Sequence, residues 1–148
     1  MSEIKNTVLG DIKACMKSGD KPRLAVLRLI SSAVKQREVD ERVDTDDAAM
    51  IAILDKMAKQ RRESIEQFTA ANRTDLADAE VAELEIIKSY LPQQLSDAEI
   101  NEQIDKAVAD TGASSVRDMG KVMGILKPAL QGRADLSAVS SLVKSRLG

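Results

Sequence analysis

The chain reads as all-α: an N-terminal bundle of about four helices over residues 1–91, then a smaller three-helix domain over residues 92–148. Three observations predict this. Apolar residues recur every three or four positions along most of the sequence, the spacing of a one-sided helix. Aromatics are 1% of the chain while 43% is hydrophobic, so the core must be aliphatic. Gly and Pro are few, seven and three, and most stand where the periodicity breaks.

The first helix is expected over residues 2–18. Ile4, Val8, Ile12 and Cys15 form its apolar stripe, widened by Leu9 and Met16, and Gly19-Asp20 ends it. Cys15 lies on that stripe, which predicts a buried, inert thiol over a reactive one. The second helix begins near Asp20 with Pro22 in its first turn and runs to about Val39. Its apolar residues, Leu24 to Val34, cover more than half the circumference. The remaining strip carries Lys21, Arg28 and Lys35 at sevenfold spacing, a basic edge that reads first as a solvated face.

A polar connection follows, with Thr45 as the expected N-cap of a long third helix over residues 46–71. Its stripe is Met50, Leu54, Met57, Ala58, Ile65 and Phe68, and Arg61 falls in the middle of it. A guanidinium there needs a partner or a path to water. The fourth helix, residues 75–90 with Thr74 as cap, turns Leu76, Leu84, Ile87 and Leu91 inward with Glu80 and Glu83 among them. An antiparallel hairpin about Asn72 predicts a partly buried pair between Arg61 and Glu80 or Glu83. The competing reading, a two-carboxylate metal or acid–base site, lacks a His or Asp beside it.

Pro92 stops the helix before it and marks the boundary. Ser96-Asp-Ala-Glu99 is a capping box that opens the fifth helix, with Ile100, Ile104, Ala107 and Val108 inside and Gly112 as a left-handed stop. The sixth begins near Ser114 or Ser115 and presents Met119, Val122, Met123 and Leu126. Gly120 and Gly124 stand beside that face. Two glycines inside a helix cost about 2 kcal/mol against alanine, so close contact should recover it. Contact with a neighbouring helix of the same domain is the first expectation, and approach of a partner's backbone, protein or RNA, is the second. Pro128 is expected to kink or end this helix. Gln131-Gly-Arg-Ala-Asp135 is the turn, and Asp135 caps a seventh helix with Val139, Leu142, Val143 and Leu147 inside.

Histidine is absent, which removes the commonest general base and metal ligand. No phosphate loop, nucleophile–base set or metal-ligand spacing stands out, so no catalytic residue, metal or cofactor is expected. A lone cysteine, no apolar run long enough for a membrane span and no signal peptide lead to an expected cytoplasmic location. Net charge is −2 and the pI about 5.3, unlike a typical nucleic-acid binder. The charge is uneven, however. Residues 112–148 hold Arg117, Lys121, Lys127, Arg133, Lys144 and Arg146 against Asp118 and Asp135, a net +4. Without aromatics for base stacking, any RNA contact would be to phosphate and sugar.

Five segments taken together resemble the YqeY family: Lys59-Gln-Arg-Arg-Glu-Ser-Ile-Glu-Gln-Phe68, Tyr90-Leu-Pro-Gln-Gln-Leu-Ser96, Thr111-Gly-Ala-Ser-Ser115, Asp118-Met-Gly-Lys-Val-Met123 and Gly132-Arg-Ala-Asp135. The likeness extends to the C-terminal tail of the B subunit of bacterial glutamyl/aspartyl-tRNA amidotransferase. That enzyme amidates mischarged Glu-tRNA(Gln) or Asp-tRNA(Asn), with glutamine as nitrogen donor. Its activation chemistry lies in a separate cradle domain, while the helical tail docks on the outer corner of the tRNA. The resemblance implies a non-catalytic helical module that binds tRNA or assists tRNA-dependent amidation. A carbon–nitrogen ligase label then follows by homology alone. The expected partners are tRNA and a tRNA-processing or amidotransferase complex. The resemblance carries over Lys121 and Arg133 as RNA-binding residues, and local charge adds Lys127, Lys144 and Arg146. A protein-interaction module without RNA binding is the alternative; an enzyme is the third and weakest reading.

Overall fold

The computed structural model describes residues 2–148, which form seven α-helices and one 3₁₀ turn, with no strand among them. The all-α expectation holds. The helices are α1 (Glu3–Ser18), α2 (Lys21–Glu41), α3 (Asp47–Ala70), α4 (Thr74–Lys88), α5 (Asp97–Thr111), α6 (Met119–Leu130) and α7 (Leu136–Leu147); the 3₁₀ turn, Val116–Asp118, leads into α6. The chain divides into two compact units, Met1–Pro92 and Gln93–Gly148. Among the described residues, no helix is long and apolar enough to cross a membrane.

In the first unit α1 to α4 enclose an aliphatic core centred on Leu27, Ile30, Met50, Leu54 and Ile87, all fully buried. Cys15 is buried in it, as its place on the stripe predicts. α3 and α4 form the hairpin. Its turn is closed by Asn72, which takes a positive φ of 58° and donates its N–H to the Thr69 carbonyl at 3.1 Å. Arg61 then meets both expected carboxylates, at 2.8 Å from Glu83 and 3.4 Å from Glu80.

Several local expectations are corrected. Leu9, Met16, Leu29 and Leu76 are exposed, because the neighbouring helices cover a narrower arc of each helix than its apolar residues span. Asp46, not Thr45, caps α3, accepting from the Ala49 N–H at 2.8 Å. Thr45 is instead buried: its N–H donates to Glu38 Oε2 at 3.0 Å and its hydroxyl accepts from Arg37. Thr74 lies inside α4, whose first turn has no side-chain cap. α2 extends to Glu41 and α4 stops at Lys88.

In the second unit Ile104, Val122, Leu126, Leu130, Val139 and Val143 are the core. The capping box of Ser96 and Glu99 is formed, and Gly112 closes α5 at φ 66°. α6 begins at Met119 and runs through Pro128 to Leu130. Proline removes a donor to the carbonyl four residues earlier, here that of Gly124. Both residues are exposed, on the side of α6 away from the core. Leu142 is exposed, so the α7 stripe is narrower than expected.

Candidate docking face

The glycine pair of α6 overturns the expectation of close packing within the domain. A Cβ built on Gly120 or Gly124 meets nothing within 4 Å. No helix of this unit lies over that strip, so the fold's own packing does not require glycine there. At about 100° per residue, Gly120, Gly124 and Lys127 lie within one narrow strip. Lys121 and Ile125 border it, and all are exposed. The core-facing side of the helix is Val122, Met123, Leu126 and Leu130.

The face is electropositive. α6 contains no acidic residue, and Arg117 stands exposed in the turn before it. Asp118, at the start, is occupied: its carboxylate accepts from the Ser114 N–H at 3.0 Å. That bond, and then the charge of Lys121, hold it below the usual carboxylate range. The arrangement is a bare helix backbone flanked by lysines, suited to an anionic chain that must come close to the helix axis.

The other residues expected to bind RNA are dispersed. Arg133 belongs to the turn between α6 and α7. Its Nε donates to the Gln93 carbonyl at 3.3 Å and its own carbonyl accepts from Leu95 N–H at 2.9 Å, so it braces the segment leading into α5. Arg146 on α7 is paired with Asp105 on α5. Lys144, two residues earlier on α7, is exposed. The end of α7 abuts the 3₁₀ turn, where a Cβ on Gly148 would stand 3.7 Å from Val116 Cγ2. Lys121 and Lys127 thus share α6, while Arg133, Lys144 and Arg146 lie outside it.

Sequence reasoning missed the polar cluster around the lone tyrosine. Tyr90 donates to Asp11 Oδ2 at 2.5 Å and accepts from Arg23 Nη2 at 2.9 Å, with the guanidinium 5.5 Å from the ring centroid. Burial first, then the bond to Asp11, pushes its phenol up to about 12. No periodicity marks such a contact; the only signal was one tyrosine in a chain almost without aromatics. The cluster joins α1, α2 and the turn that follows α4. Among the described residues, no group of three or more His, Cys, Asp and Glu side chains is gathered as a metal site.

Comparison with known proteins fixes the family. The profile of the Yqey-like protein family, YqeY, matches residues 5–147, both units together. The chain belongs to the YqeY family. Its curated relatives include proteins named "Altered inheritance of mitochondria protein 41, mitochondrial". The one from Lachancea thermotolerans is 35% identical over 71% of this chain and 58% of its own length. That from Pyrenophora tritici-repentis is 30% identical over 93% and 77%. That from Saccharomyces cerevisiae is 31% identical over 66% and 54%. This YqeY chain therefore spans between 54% and 77% of the length of these relatives. The relatives are fungal and named as mitochondrial, which overturns the expected cytoplasmic location. That expectation rested on missing signals, and an absence carries no address.

Proposed function

We propose that this YqeY-family chain is a small helical module that docks on tRNA through the exposed face of α6, alone or as an accessory to tRNA-dependent amidation. The observation that carries the reading is the open strip over Gly120 and Gly124, between Lys121 and Lys127. A sugar–phosphate backbone can approach a helix most closely where side chains are missing, and the two ammonium groups then reach phosphates on either side. Readout of this kind is of shape, not sequence. The resemblance to the amidotransferase tail supports tRNA as the RNA in question, and the net +4 of residues 112–148 supports an anionic partner.

A protein-interaction reading of the same face rests on Ile125, which is 44% exposed beside Gly124. It predicts an apolar, salt-insensitive contact with no preference for tRNA. Titration of the protein with total cellular tRNA, against duplex DNA of equal charge as competitor, separates the two. Selective binding that weakens with salt supports the tRNA reading, each phosphate contact adding about −0.7 to −0.9 to the log–log slope. Binding no better than to the duplex refutes it.

A further inference from the structure

The first unit carries a second exposed surface that its core does not explain. α1 and α2 run antiparallel: Lys5 pairs with Glu38 at 2.8 Å near one end, and Arg28 Nη2 donates to Met16 Sδ at 3.7 Å near the other. Along this seam Leu9 and Met16 are 41% and 55% exposed. They are two helical turns apart and share a face. Arg28 and Lys35 keep the same sevenfold spacing on α2, and both are exposed. The seam therefore shows one apolar and one basic row, repeating in step.

Beside Leu9 and Lys35 the seam opens into a 230 Å³ cavity floored by Val8, Val34 and Met50. An apolar cavity of about 150 Å³ already holds a benzene-sized group, so one large apolar side chain fits. The charge on the seam is uncompensated. Glu38 at the cavity is taken by Lys5 and the Thr45 N–H. α2 has no acidic residue between positions 28 and 35. The single acid of α1 between positions 9 and 16, Asp11, accepts from Tyr90.

We infer that the α1–α2 seam is a docking groove for a partner's amphipathic helix with an acidic flank, one of whose apolar side chains fills the cavity over Val8, Val34 and Met50. Rows that repeat every seven residues match a helix packed nearly parallel to the seam. The apolar row and cavity take the partner's apolar stripe, and Arg28 and Lys35 take its carboxylates. A nucleic acid would use only the basic row.

The test uses the full chain and a labelled three-heptad peptide with Leu at a and d and Glu at e and g, beside an analogue with Lys in place of every Glu. Anisotropy should show binding of the acidic peptide at least about tenfold tighter than of the basic one. The double variant Arg28→Glu/Lys35→Glu should reverse that order, and Leu9→Ser/Met16→Ser should weaken both peptides. All four positions are exposed, so thermal unfolding should stay close to that of the parent. Equal binding of the two peptides, binding of neither, or no response to the charge reversal overturns the proposal. So does Leu9- and Met16-dependent binding to phosphatidylglycerol vesicles without binding of the acidic peptide, which would assign the seam to a lipid surface.

Discussion

The backbone N–H of Leu95 donates to the carbonyl of Arg133 at 2.9 Å, which ties the segment before α5 to the turn between α6 and α7. Two further bonds flank it, from Gln94 Nε2 to the Gly132 carbonyl at 2.7 Å and from Arg133 Nε to the Gln93 carbonyl. Two motifs separated by two helices are thus one latch. Gly132, buried at φ 78°, is where that latch requires glycine.

Gly132→Ala should accordingly destabilise the second unit by about 1–2 kcal/mol, the cost of a side chain in the left-handed region. Arg133→Glu should also lower stability, so any loss of tRNA binding in that variant will come with a lower melting temperature. Lys121→Glu, on an open face, should leave melting within about 0.5 kcal/mol of the parent. Thermal denaturation of the three variants checks this ordering.

Gly120→Ala/Gly124→Ala should stabilise the chain by about 1 kcal/mol per site, since each added methyl meets open space and alanine is the better helix former. The same variant should bind tRNA more weakly. Urea denaturation and a tRNA titration on one preparation check both halves, and a destabilised double variant would show that the strip is packed after all.

Arg61→Ala should cost about 1–3 kcal/mol. Arg61 is only 16% exposed and serves two carboxylates, one of whose oxygens, Glu80 Oε2, is buried without a hydrogen bond. Adding Glu83→Gln to Arg61→Ala should recover part of the loss. Urea denaturation of the single and double variants measures the coupling, and a loss within about 0.5 kcal/mol for Arg61→Ala would make the pair a surface contact.

The Tyr90 phenol, pushed up to about 12 in the folded chain, lies above the roughly 10 of an unfolded tyrosine. The folded state therefore holds this proton more tightly. Its contribution to stability is complete below about pH 10 and is lost as pH rises toward 12. Tyr90 is the only tyrosine and there is no tryptophan, so phenolate absorbance follows this one group. A midpoint near 10 in the folded protein would contradict the buried cluster with Asp11 and Arg23.

How much was legible in the sequence depends on the kind of contact. The capping box, the left-handed Gly112 and the Arg61 pair are set by local spacing plus one hairpin, and all three are present. The errors at Leu9, Leu29, Leu76 and Leu142 have one cause: periodicity identifies an apolar stripe but not how much of it neighbouring helices reach. Thr45 and Asp46 are both good caps, and tertiary bonds to Glu38 and Arg37 decided between them. The glycine pair is the same case at the candidate site. Sequence located Gly120 and Gly124 beside the buried face, but only the placement of the other helices leaves them uncovered. Arg133 matched a family motif, and its hydrogen bonds to residues nearly forty positions away were invisible until the chain was folded.

The measurement that bears most directly on the docking face is the salt-dependent tRNA titration, with duplex DNA as competitor, of the parent chain and of Lys121→Glu/Lys127→Glu. A tRNA-docking α6 requires selective binding by the parent, a loss of at least about tenfold in the double variant, and a log–log salt slope shallower by roughly two contacts. Equal affinity and equal slope in parent and variant would contradict it and remove α6 from the site.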